Sequence, residues 1–206
     1  MGELTDLLFR GLIIGISIAA PVGPIGVLCI RRTLAQGTAA GFVSGLGAAT
    51  ADALYGCVAG FGLTFISGLL VQQQVWFRLV GGLFLCYLGA RAFLAEPAQE
   101  PAEDRKGSLL KAYASTLFLT LTNPMTILSF AAIFAGLGLA SAAQCYASAV
   151  VMVAGVFAGS ALWWLTLSGG VSFFRKRFSL TVLHWVNRIS GIVITGFGVF
   201  SLFSML

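Results

Sequence analysis

The chain has 206 residues, of which 58% are hydrophobic and only 9% are charged, and its mean hydropathy is +0.97. This composition excludes a water-soluble globular protein and predicts an all-α integral membrane protein. The net charge of +5 comes from basic residues at the edges of apolar stretches, without interleaved aromatic residues on a soluble face, so nucleic acid is not expected as a partner.

Six apolar stretches are long enough to cross a lipid bilayer, since a helical span needs about 20 apolar residues for about 30 Å of hydrocarbon. They are residues 11–30, 39–66, 75–94, 112–139, 145–168 and 180–206. The first follows Glu3 and Asp6 rather than a basic segment, so we expect it to remain as a span and not to be a cleaved signal peptide. Residues 1–206 are therefore predicted to form a single membrane domain.

Span one contains residues that interrupt helices. Pro21 and Pro24 have no amide hydrogen, so the carbonyls of Ser17 and Ala20 lose their usual helical partners, and Gly23 allows non-helical backbone between them. Backbone groups freed in this way must face protein or water, because hydrocarbon offers no hydrogen-bonding partner. We expect span one to be broken at mid-depth and to face a cavity.

Span two contains Asp52, which alone among the carboxylates lies well inside a long apolar stretch. A charged side chain at the bilayer centre costs about 2.5 to 3.5 kcal/mol on insertion scales, so such residues are normally paired, protonated or part of a transport path. Asp52 therefore indicates a carrier.

A charged linker divides the chain into halves. Residues 96–106 combine prolines with charges of both signs, and we assign residues 96–111 to a cytoplasmic linker between repeats at 1–95 and 112–206. Three residues of span three recur in span six at an offset of 109: Trp76, Gly82 and Gly89 match Trp185, Gly191 and Gly198. Because three spans per half is an odd number, the second repeat must be inverted relative to the first.

Span four resembles span one in its interruption. Pro124 removes the helical partner of the Thr120 carbonyl, and Asn123 adds a side-chain amide beside it. At about 1.5 Å per residue, both breaks and Asp52 fall near the middle of the membrane. The predicted substrate-binding or coupling residues are Pro21, Gly23, Pro24, Asp52, Thr120, Asn123 and Pro124.

Broken helices have a defined binding chemistry. Their freed carbonyls and helix C-terminal ends attract a cation, and the N-terminal ends of the following half-helices, near Gly26 and Thr126, attract an anion. A zwitterion such as an amino acid suits both. We assign no catalytic residue, metal ligand or cofactor, and we do not expect an enzyme.

Several segments together resemble the LysE/RhtB family of amino-acid exporters. They are the run from Ala20 to Gly26, residues 41–47, the run Asp52-Ala53-Leu54-Tyr55-Gly56, and Thr122-Asn123-Pro124. The resemblance extends over nearly the whole chain. It implies a six-span exporter of amino acids or related small solutes in a bacterial inner membrane, driven by the gradient of protons or another ion.

Two alternatives stay open at this point. An inorganic-ion exporter of metal cations would need carboxylates, histidine or cysteine clustered at one depth, which the sequence does not suggest. A membrane thiol oxidoreductase would need paired cysteines, but span four has none, and Cys29, Cys57, Cys86 and Cys145 lack metal-site spacing.

Glycines at every fourth position allow close helix packing and also permit a homodimer.

The basic residues predict the orientation. They cluster after span one (Arg31, Arg32), around the central linker (Arg91, Arg105, Lys106, Lys111) and before span six (Arg175, Lys176, Arg177). These links share one side of the membrane, and the positive-inside rule makes that side cytoplasmic. We predict that both termini are periplasmic, so a reporter fused after Leu206 that requires export should be active. A fusion active only as a cytoplasmic reporter would contradict both the orientation and the inverted repeat.

Overall fold

A computed structural model describes residues 2–21, 23–60, 73–94, 105–123, 126–130, 146–175 and 180–203. The regular structure of these residues is helical. Seven helices have defined bounds: α1 Gly2–Ala19, α2 Pro24–Gln36, α3 Thr38–Gly60, α4 Gln74–Phe93, α5 Arg105–Leu121, α6 Tyr146–Arg175 and α7 Leu180–Phe203. Residues 126–130 form a further helical segment.

Several helices are long and apolar enough to cross a membrane. Among the described residues they are Val75–Phe93, Tyr146–Phe174 and His184–Phe203, and the bent pair Glu3–Ala19 and Pro24–Gln36 qualifies when taken as one span. Leu109–Leu121 is a shorter apolar helix. The predicted all-helical integral membrane protein is therefore confirmed, whereas the count of six spans stays a prediction.

The predicted break in span one is present. Helix α1 ends at Ala19, α2 begins at Pro24, and their axes are bent by 82°. Gly23 caps α2 in an extended conformation (φ −109°, ψ −165°), and its carbonyl accepts the amide of Val27 at 3.1 Å. Pro24 therefore occupies the first helical position, where an amide hydrogen would have no helical partner in any case. Pro24 therefore starts a second half-helix. The sequence argument, in which Pro24 removes a hydrogen bond from a continuous helix, differs from this finding.

A second interruption follows α5. This helix ends at Leu121, and the carbonyl of Asn123 then accepts the amides of Thr126 and Ile127 at 3.1 and 3.2 Å, which begins the helical segment 126–130. Pro124 itself lies outside the described residues. At the other end, α5 starts at Arg105, so residues 105–111 of the assigned linker are helical, and residues 96–104 are not described.

Glycines bring α1 and α6 into backbone contact. A Cβ added at Gly11 would lie 3.1 Å from Cα of Gly155, and one at Gly15 would lie 2.9 Å from the amide nitrogen of Ser160. The contacting residue numbers rise together, so these two helices run parallel. Small residues permit this close approach, which stabilises helix pairs in membranes through van der Waals contact.

Helices α4 and α7 pack in the opposite sense. A Cβ at Gly82 would lie 3.1 Å from the carbonyl oxygen of Gly198, and one at Gly198 would lie 2.8 Å from that of Gly82. Gly89 and Gly191 face each other in the same reciprocal way, at 2.9 and 2.8 Å. The numbers rise in one helix as they fall in the other, so α4 and α7 are antiparallel.

Two arginines that the sequence placed at the membrane edge hold α2 against its neighbours. Arg32 is buried and donates four hydrogen bonds, to Ser44 of α3 and to the α5 residues Ala112, Ser115 and Thr116, at 2.8 to 2.9 Å. Arg31 donates to Oδ1 of Asn187 in α7 at 3.0 Å. The short second half of span one is thereby tied to three other helices.

The close α4–α7 contact predicts a clear difference between two glycines of one helix. A Cβ at Gly191 would lie 2.6 Å from the amide nitrogen of Phe93 and 2.8 Å from the Gly89 carbonyl oxygen, whereas one at Gly196 meets nothing within 4 Å. We expect Gly191→Ala to destabilise the purified protein by about 1–3 kcal/mol through overpacking. Gly196→Ala, with the same gain in helix propensity, should leave the thermal transition in detergent unchanged or raised. Equal behaviour of the two variants would contradict the packing.

Candidate functional site

A cavity of about 590 Å³ lies where the two helix interruptions meet. This volume is within the range of about 300–1,000 Å³ that is usual for small-molecule sites. The first interruption contributes one wall, formed by Ile18, Ala19, Pro21, Gly23, Pro24, Ile25 and Gly26. The second contributes Leu119, Thr120, Thr122, Asn123, Thr126 and Ser129. Helix α3 adds Ala48 and Asp52, α4 adds Arg78, Gly81 and Leu85, α6 adds Trp164, and α7 adds Phe197, Phe200 and Ser201.

The structure brings most of the predicted site residues together. Pro21, Gly23, Pro24, Asp52, Thr120 and Asn123 all line this cavity, although they come from three separate stretches of the chain. Pro124, the seventh, falls outside the described residues. Residues predicted at both helix interruptions and on α3 therefore share one cavity.

Asp52 is held in place by a short polar chain. Its side chain is 3% exposed, and its Oδ2 accepts a hydrogen bond from the Ser160 hydroxyl at 2.7 Å. Ser160 Oγ in turn accepts the indole N–H of Trp164 at 3.2 Å. Because Trp164 also lines the cavity, this chain connects the orientation of the carboxylate to the cavity wall. The salt bridge found among the described residues, Arg10 with Asp6, lies elsewhere, on the exposed surface.

Tyr55 supports the second interruption from α3. It lies one helical turn beyond Asp52, and its hydroxyl donates to the carbonyl of Leu121 at 2.6 Å, where α5 ends. The last carbonyls of a helix have no intrahelical donor, so this bond satisfies one of them inside the protein. The hydroxyl of Thr120 instead donates a hydrogen bond to the carbonyl of Thr116, one turn earlier on α5, at 2.8 Å.

Sequence reasoning missed Ser160, Tyr55, Trp164 and Arg78. Ser160 and Trp164 lie one turn apart on α6, but a serine and a tryptophan in an apolar helix give no signal of a buried carboxylate partner. Tyr55 had a signal, because it lies three residues from Asp52 on one helix face. Arg78 lines the cavity, and a lone arginine near the start of the third apolar stretch gives no signal of that position.

The described residues lend no support to a metal site. No group of three His, Cys, Asp or Glu side chains within them is placed to hold an ion. Cys29 is buried, Cys57 and Cys86 are partly buried, and all three are free thiols, while Cys145 is not described.

The sequence is similar to a family of translocators and to bacterial membrane proteins. The sequence model of the LysE type translocator family matches residues 16–204. The chain is 30% identical to "Putative amino acid efflux protein YcgF" of Bacillus subtilis over 192 residues, covering 91% of this chain and 90% of that protein. It is 25% identical to the membrane protein YrhP of Bacillus subtilis, covering 84% and 87% of the two chains, and 28% identical to the membrane protein YahN of Escherichia coli, covering 84% and 77%. No solved structure matches it significantly.

The broken helices and the cavity that they line are features of a transmembrane transporter. The extent of the family match shows that the chain belongs to the LysE type translocators.

The bond between Ser160 and Asp52 yields a matched pair of variants on α6. Ser160→Ala would leave a buried carboxylate without its hydroxyl donor, which should destabilise the protein by about 1–3 kcal/mol. Ser168→Ala removes a buried hydroxyl that has no hydrogen-bond partner among the described residues, so its stability should be unchanged or increased. Thermal unfolding of both variants in detergent measures the difference. A Ser160→Ala variant as stable as Ser168→Ala would show that the bond contributes nothing.

Proposed function

We propose that this protein is a secondary transporter that exports amino acids or related small solutes across the bacterial inner membrane. The observation that carries the proposal is the cavity that both helix interruptions line together with Asp52. The efflux protein YcgF, whose printed name specifies amino acids, supports that substrate class.

The ends of the half-helices supply the proposed binding chemistry. Helix α2 begins at the cavity with Pro24, Ile25 and Gly26, and its N-cap residue Gly23 makes no side-chain capping bond. A helix N-terminus carries a partial positive charge and free amide donors, which favour an anionic group such as a carboxylate. The opposite partial charge lies where α1 and α5 end, at Ala19 and Leu121, and favours a cation such as an ammonium group.

Asp52 is proposed as the residue that holds either the ammonium group of the substrate or the coupling proton. It is buried, it lies at the cavity, and its described hydrogen bond is to a neutral hydroxyl rather than to a cation. A carboxylate in such surroundings can change its protonation state when a cationic group enters or leaves the cavity. That exchange is the minimum requirement for coupling export to a proton gradient.

The packing of α4 on α7 supports the inverted repeat. Gly82 and Gly89 correspond to Gly191 and Gly198 at the offset of 109, and the reciprocal contacts pair Gly82 with Gly198 and Gly89 with Gly191. A two-fold axis between two equivalent helices produces this isologous pattern. Each half also contributes one interruption, so rocking one half against the other would expose the cavity alternately to the two sides of the membrane.

Transport by Asp52→Asn tests the proposed function. The variant should lose gradient-driven export of a labelled amino-acid panel from loaded vesicles by about ten- to hundredfold, the effect of losing one charge-assisted contact. Asp6→Asn, which removes an exposed carboxylate whose ion pair among the described residues is with Arg10, is the matched control and should export normally.

Substrate counterflow without a gradient separates the two roles of Asp52. A proton carrier should leave counterflow intact in Asp52→Asn, whereas an ammonium-binding residue should not. Wild-type export rate and pH dependence in an Asp52→Asn protein of normal abundance would show a merely structural carboxylate. A wild-type protein that moves no member of the panel would overturn the proposed function.

A further inference from the structure

The cavity contains charges of both signs. Of the described residues that line it, Asp52 is the acidic one and Arg78 is the basic one. They come from different helices, α3 and α4, so no local sequence pattern relates them. With both groups ionised, the cavity lining carries no net charge.

The backbone around Arg78 is fixed on two sides. One turn further along α4, a Cβ at Gly81 would lie 2.7 Å from the carbonyl oxygen of Thr122, so this face of α4 packs directly on the second interruption. On the other side, the hydroxyl of Ser201 in α7 donates to the backbone carbonyl of Arg78 at 3.2 Å. Arg78 is half-buried and borders the cavity beside the helix ends.

Most of the remaining wall is apolar. Ile18, Ile25, Leu85, Leu119 and Phe197 line it together with the ring of Trp164, and its other polar groups are neutral hydroxyls and an amide. A second positive charge on a substrate would find no second carboxylate among the described residues of this wall, and desolvating an uncompensated charge is costly. An apolar side chain would instead gain by leaving water.

We propose that Arg78 binds the substrate carboxylate, and that the cavity selects net-neutral zwitterionic amino acids with apolar side chains. This inference rests on the proposed export function and deepens it. The planar guanidinium group forms paired hydrogen bonds with a carboxylate. A substrate with an amide in place of the carboxylate forms such a pair less well. Removal of Arg78 leaves a negatively charged cavity that favours a cationic substrate.

The test compares leucine, leucinamide and lysine in counterflow with reconstituted protein. Leucinamide keeps the side chain and ammonium group of leucine but replaces its carboxylate with a neutral amide. The wild-type protein should prefer leucine over both of the others. Arg78→Gln should reduce leucine transport by about ten- to hundredfold, as expected for one lost charge-assisted contact, with a smaller loss for leucinamide. The preference between the two should therefore narrow or reverse.

Two further variants separate charge from folding. Arg78→Lys retains the positive charge and should retain the preference for leucine over leucinamide, at a reduced rate. Arg10→Gln removes an exposed arginine whose partner is Asp6, and it should behave as wild type. Membrane abundance and thermal stability are measured for each protein. If Arg78→Gln fails to assemble, Arg78→Lys and the wild-type preference decide the question.

Three outcomes would overturn the inference and leave the export function intact. They are wild-type preference for lysine, equal wild-type transport of leucine and leucinamide, and an unchanged leucine preference in Arg78→Gln. Loss of that preference in Arg78→Lys to the same extent as in Arg78→Gln would also count against a carboxylate contact. If the wild-type protein transports none of a full amino-acid panel, the export function itself fails and the inference fails with it.

Discussion

The structure depends on one constraint: the hydrocarbon of a membrane offers no partner to a backbone N–H or C=O group. Two helices are nevertheless interrupted, after Ala19 and after Leu121. The freed groups are placed against protein, where the hydroxyl of Tyr55 bonds to the Leu121 carbonyl and the Asn123 carbonyl accepts two amides. Because both interruptions must avoid lipid, they share one interior, and the cavity between them follows from that requirement.

Buried polar side chains follow the same rule. Asp52 is bonded to Ser160, and Arg32 satisfies its guanidinium group with neutral oxygens from α3 and α5. Neither bond set is an ion pair. Networks of this kind fix the relative positions of helices. The loss of one member is costly, because each remaining group would then be buried without a partner. The network of Arg32 holds the second half-helix of span one, whose N-terminus lines the cavity, so it supports the site from a distance.

Glycine residues allow the helices to pack closely around the cavity without filling it. Lipid-exposed helices gain little from apolar burial against one another, so backbone contact must provide the attraction. Gly11 and Gly15 provide it between α1 and α6, and Gly82 and Gly89 provide it between α4 and α7. With the helices held at these contacts, bulkier residues such as Trp164 and Phe197 remain to line the cavity.

The sequence by itself determined that the protein lies in a membrane, that it is helical and where both interruptions fall. It also identified Asp52 as a candidate functional residue. These are local properties, because composition, missing proline amides and the cost of a lone carboxylate in hydrocarbon act within one stretch of chain. Only the tertiary structure decided that Ser160 is the partner of Asp52, that Arg32 is buried, and that Arg78 lines the cavity. Those facts depend on which helix faces come together, and faces from distant parts of the chain are matched only by packing.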